Sequence, residues 1–115
     1  MMNQTLKDTI NALKTASDET GKAIWGALAE ELDKPKRRRV AVNLSRIDRH
    51  ASEGEVVAVP GKVLAAGSLS KPLKVAAFSF SEVALKKIGM AKGEAMTLTE
   101  LLNAGIEPSN IRIMK

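Results

Sequence analysis

Few side chains in this sequence could carry covalent or acid–base chemistry. The 115 residues include one histidine, His50, and neither cysteine nor tyrosine. Thiolate nucleophiles and disulfides are therefore excluded. His50 has no second imidazole or nucleophile at motif spacing, and it stands close to Arg46 and Arg49. An imidazole so placed reads as an exposed group or a phosphate contact rather than a general base. Glu30, Glu31 and Asp33 precede a basic run and read as solvated charges opposite it. The stretch from Pro60 to Ser68, with Gly61 and Gly67, has the look of a phosphate loop, but no Gly-Lys-Ser or Gly-Lys-Thr closes it. We read it as a loop needing backbone freedom at its two glycines, a reading that still permits backbone contact with RNA phosphates. No nucleophile elbow or zinc-ligand spacing is present, so no enzyme, cofactor, metal or small-molecule substrate is expected.

What the chain does offer is cations. Lys34-Pro35-Lys36-Arg37-Arg38-Arg39 places five basic residues in six positions. Adjacent like charges repel and cannot enter an apolar core, so the run must be solvated or neutralised by a polyanion. Each Lys or Arg that meets a phosphate releases condensed counterions, which gives affinity without base reading. A nuclear-localisation string and a membrane-surface patch share this composition. The membrane reading suffers because no clustered Trp or Phe lies on an apolar flank. By segment, residues 34–50 carry +6 and residues 71–92 carry +4, within a total of +5. Two basic segments on a near-neutral or acidic body form the pattern of a localised anion-binding surface. Trp25, Phe78 and Phe80 are the only aromatics, and each lies in an apolar pattern that assigns it to the core. Base stacking would want several exposed rings, so phosphate and RNA-shape recognition is expected instead.

The elements that must hold these cations are legible in outline. Leu6, Ile10 and Leu13 fall at helical spacing, as do Ile24, Leu28 and Leu32 with Trp25 beside them. Asp18 to Gly21 supplies a turn between two helices, and Pro35 ends the second. After Val40-Ala41-Val42, Asn43 is placed to cap a short helix. Its Leu44, Ile47 and Ala51 share an inward side, and Arg46, Arg49 and His50 an outward one. Strands are expected at 55–59, broken by Pro60-Gly61, then at 62–64, 73–78, 95–98 and 111–113. Ser81 caps a helix to Ile88 with Val83, Ala84, Leu85 and Ile88 as its apolar residues and Gly89 as its stop. Thr99 caps another, stopped by Gly105. The succession predicts a small single α/β domain, residues 40–115, with a helical N-terminal extension over residues 1–39 that includes the basic run. No apolar stretch reaches membrane-spanning length and no secretory pattern opens the chain, so a soluble intracellular protein is expected.

One ordered chain of motifs is more specific. Val42-Asn43-Leu44-Ser45-Arg46-Ile47 is followed by Val59-Pro60-Gly61-Lys62-Val63-Leu64. Gly67, Leu69, Val75-Ala76-Ala77 and Phe80-Ser81 come next, with Ala84 and Ile88 in the following helix. This series resembles the large-subunit ribosomal proteins of the archaeal and eukaryotic "e" eighteen type, related to bacterial large-subunit protein fifteen. Ala23-Ile24-Trp25 and the basic run resemble the archaeal branch. The resemblance implies a compact domain of irregular strand–strand–helix turns with N-terminal extensions reaching into RNA. It also implies a non-catalytic place in the large ribosomal subunit, against large-subunit rRNA and neighbouring ribosomal proteins. On that reading Lys34, Lys36, Arg37, Arg38 and Arg39 neutralise phosphates, and Arg46, Arg49 and His50 extend the surface. Lys62, Lys71 and Lys74 join it around the loop after Pro60. Asn43 and Ser45 match the family motif and serve equally as helix-capping groups or RNA contacts. The rival reading is a small basic DNA- or RNA-binding regulator acting outside the ribosome.

Overall fold

The computed structural model describes residues 6–35 and 40–115. Two helices come first, α1 (Leu6–Thr20) and α2 (Ala23–Leu32), joined at Gly21, whose left-handed backbone (φ 71) makes the tight turn. Then follow β1 (Val40–Asn43), α3 (Leu44–His50), β2 (Val56–Leu64), β3 (Lys74–Phe80), α4 (Glu82–Met90), β4 (Glu94–Thr97), α5 (Leu98–Asn103) and β5 (Ile111–Ile113). Every strand pairing is parallel. The order is β1-β2-β3-β4, with β5 also on β2. β3 takes one edge of β2. The other edge is shared end to end: β5 pairs with Val56 to Ala58 and β1 with Gly61 to Leu64.

Side-chain alternation divides the core into two layers. Val57, Val59, Val75 and Ala77 meet Leu44 and Ile47 of α3 and Ala84 and Ile88 of α4 on one face. Val56, Ala58, Ala76 and Met96 meet Leu13 of α1, Trp25 and Leu28 of α2 and Leu101 of α5 on the other. A parallel sheet covered on both faces explains why Val56 to Val59 is uniformly apolar rather than alternating. The molecule is thus a small α/β domain with a helical N-terminal segment, as the sequence predicts.

Several local expectations are corrected. Pro60-Gly61 does not break the strand: β2 runs through it, with a register shift against β3 between Val59 and Lys62. Proline lacks an N–H, and a bulge is where a sheet tolerates that loss. Gly61 is needed for close approach, since a Cβ there would stand 2.0 Å from the Val40 carbonyl oxygen. Gly67 is needed both for its φ of +85 and because Ser45 lies against it. α4 passes Gly89 and ends at Met90, and its Val83 and Leu85 are 51% and 45% exposed. Thr97, not Thr99, caps α5, in a reciprocal box with Glu100. Ser81 caps α4 as expected. Trp25 is buried, whereas Phe78 and Phe80 are half-buried against opposite core layers.

Candidate nucleic-acid interface

α3 is the element that sorts apolar from cationic side chains. Leu44 and Ile47 are fully buried and Ala51 nearly so, while Arg46, Arg49 and His50 are exposed. Three-and-four spacing does this on a seven-residue helix whose inward side is fixed by the sheet. Among the described residues, Arg46, Arg49 and His50 have no carboxylate within ion-pair distance.

A web of hydrogen bonds ties the loop after β2 to α3 and α4. Asn43 occupies the cap position, but its side chain does not cap; its Oδ1 accepts the Ala66 N–H at 3.3 Å. The Ser45 N–H in turn donates to the Ala66 carbonyl at 3.0 Å. Lys87 Nζ donates to the Ala65 and Gly67 carbonyls at 2.8 and 2.6 Å. Further along, Asp48 accepts both the Ser70 N–H and its hydroxyl at 2.8 Å. The Ser70 N–H, then its hydroxyl, hold the Asp48 carboxyl below the usual range. Lys71 Nζ donates to the Asp48 carbonyl at 3.0 Å. Asn43, Ser45 and Lys71 therefore stand together as ties between loop and helix.

The remaining expected cations are dispersed. Lys62 is exposed on β2, in register with Ala41 and Ser79, and Lys74 starts β3 opposite Val56. Six residues of strand between Val56 and Lys62 span roughly 20 Å, so these two lysines lie at opposite ends of the sheet. Lys34 is held by both oxygens of Glu31 at 3.0 and 2.9 Å. Lys36, Arg37, Arg38 and Arg39 lie outside the described residues.

Two groups absent from the sequence reading join the basic surface. Arg112 and Lys115 stand with Arg46 and His50 around a cleft of about 250 Å³. Arg112 Nε meets Glu55 at 3.2 Å and Lys115 Nζ meets Glu31 at 2.9 Å. The alternation Ile111-Arg112-Ile113 was the available signal, since it turns the arginine away from its apolar neighbours. A larger concavity of about 500 Å³ between α1, α2 and α5 has Glu19 as its one ionisable lining residue and offers an anion no positive charge. Among the described residues, no group of three His, Asp or Glu side chains could hold a metal ion, and no helix is long and apolar enough to cross a membrane.

Comparison with known proteins gives a family match. Residues 28–96 match the family model described as ribosomal proteins 50S-L15, 50S-L18e and 60S-L27A. The large ribosomal subunit protein eL18 of Haloarcula marismortui is 44% identical over 113 residues, covering 98% of this chain and 97% of its own. The eL18 of Archaeoglobus fulgidus is 44% identical over 112 residues, covering 97% and 96%. That of Methanothermobacter thermautotrophicus is 42% identical over 113 residues, covering 98% and 93%.

Proposed function

The chain belongs to the ribosomal protein family of 50S-L15, 50S-L18e and 60S-L27A, and from that premise we propose that it is a structural constituent of the large ribosomal subunit that binds large-subunit rRNA mainly through phosphates. The observation that carries the RNA reading is α3, whose buried side is locked in the core while Arg46, Arg49 and His50 face outward without acid partners. Lys34 and the run Lys36, Arg37, Arg38 and Arg39 add positive charge just ahead of β1. Asn43, Ser45 and Lys71 fix the adjoining loop, and Lys62 and Lys74 reach RNA further away. Residues 40–115 form the α/β core and residues 1–39 its extension. The protein works in the cytoplasm, beside neighbouring ribosomal proteins, by binding rather than by catalysis.

Sedimentation tests the role: the protein should travel with archaeal large subunits at moderate salt, and a protein that stays at the top of the gradient would contradict it. Binding to an rRNA transcript should weaken with salt along a log–log slope of roughly −3 or steeper. A slope near zero would remove the phosphate mechanism.

A further inference from the structure

The cleft between α3 and β5 collects cations from distant parts of the sequence. Its lining is Arg46, His50, Arg112, Ile113, Met114 and Lys115. Four of these six side chains are basic, and neither Glu31 nor Glu55 lines the cleft. Both carboxylates act from outside it. Glu55 takes the Nε of Arg112 with both oxygens, at 3.2 and 3.3 Å, which leaves the two terminal guanidinium nitrogens for another acceptor. Glu31 takes one N–H of Lys115 at 2.9 Å, and an ammonium has three. The walls are rigid. β5 pairs with β2 over Val56 to Ala58, and the Met114 N–H continues the bonding to the Ala58 carbonyl at 3.0 Å. α3 is seated by Leu44 and Ile47, both fully buried. Cations held in a concave wall concentrate positive potential where one anion can meet several of them at once.

We propose that this cleft is a phosphate-binding site for the rRNA backbone, in which Arg46 and His50 contact phosphate directly beside Arg112 and Lys115, the latter two positioned by Glu55 and Glu31. The proposal rests on the rRNA-binding reading above and adds the C-terminal strand to the RNA surface. A flexible chain of surface lysines would attract RNA anywhere along it. Here the bound arginine presents a fixed fork, so the phosphate is held in a defined place.

His50 is the only histidine, so its Hε1 resonance reports from inside the cleft without any substitution. Titrating the full chain with an archaeal large-subunit rRNA transcript should broaden or shift that signal. In parallel, R46Q/R112Q is compared with K7Q/K22Q, which removes two exposed cations outside the cleft and outside both basic segments. Losing two phosphate contacts should make the salt slope shallower by about 2 in R46Q/R112Q and leave it unchanged in K7Q/K22Q. If the wild type binds with a steep slope but His50 stays unmoved and R46Q/R112Q keeps that slope, the cleft proposal is overturned while the RNA reading stands. If the wild type does not bind the transcript, both fall. Should R46Q/R112Q fail to fold, the His50 signal alone decides: movement supports the site and stillness removes it.

Discussion

Lys92 is the one non-glycine residue among those described with a left-handed backbone, at φ 62. It follows the C-cap of α4, where its N–H bonds the Gly89 carbonyl and the Gly93 N–H bonds the Ile88 carbonyl, both at 2.9 Å. That closing motif favours glycine at the position lysine holds. Lys92→Gly should therefore raise stability by about 0.5–1 kcal/mol in denaturant melts, less than the full left-handed penalty because glycine frees the unfolded chain. An unchanged midpoint would mean the lysine side chain offsets its own strain. Three carboxylates contribute to stability against acid. Hydrogen bonds from Lys115 and then Lys34 hold Glu31 below the ordinary range; the Ser70 N–H does so for Asp48, and the Ser52 N–H, then Arg112, for Glu55. Each ionises more readily in the folded state than in the unfolded one. The stabilisation is thus complete above the unfolded carboxylate range, near pH 4, and drains away as pH falls through the lower folded values. Asp48→Asn keeps an acceptor for Ser70 but cannot titrate. A pH series of melting temperatures should show a shallower acid limb in that variant, and an unaltered limb would acquit Asp48. The sequence made the cationic side of α3 visible because periodicity is local. It hid Arg112 and Lys115, whose place beside α3 depends on a strand pairing across the whole chain.

At the scale of elements, β2 carries the tightest constraint. Val40 and Gly61 are register partners, and any side chain at Gly61 would enter the backbone of β1. Gly61→Ala should cost about 1–3 kcal/mol by forcing the strands apart, and loss of amide protection over Val40 to Asn43 would locate the damage. A cost near zero would mean β1 shifts freely. α4 and α2 give a contrast at fixed chemistry. Leu28 is fully buried, and Leu28→Ala should cost about 2–5 kcal/mol. Leu85 is 45% exposed, and Leu85→Ala should stay within about 1 kcal/mol. Similar losses from the two would contradict the assigned faces of α4. The helices were legible from spacing, β2 from its β-rich run and β3 from the alternation of Leu73, Val75 and Ala77. Pro60-Gly61 misled because breaker residues report only local preference, whereas β2 is held from both edges. Thr97 was legible after all: Thr97-Leu98-Thr99-Glu100 has the spacing of a capping box, and the glutamate chooses the first threonine over the second.

For the molecule as a whole, one sheet has two apolar faces and needs both coverings. α1, α2 and α5 bury Val56, Ala58, Ala76 and Met96. A chain of residues 40–115 alone would leave much of that face to water, so it should be aggregation-prone or lack a cooperative melt, while the full chain melts cooperatively. A cooperative melt of the short chain would show that the sheet and its other helix layer suffice. The α/β class could be read from the order of elements, but the register of the strands could not, because it is set by partners dozens of residues away. The divided edge of β2 bears on how the chain is made. Val56 must wait for Ile111 and Gly61 needs Val40, so one half of the edge closes early in synthesis and the other only after the 111–113 segment has emerged. Domains fold as they are translated at about 5–20 residues per second. For several seconds the nascent protein therefore holds a strand with half of one side bare. That interval, open to wrong pairing, is when a chaperone or an early RNA contact would matter most.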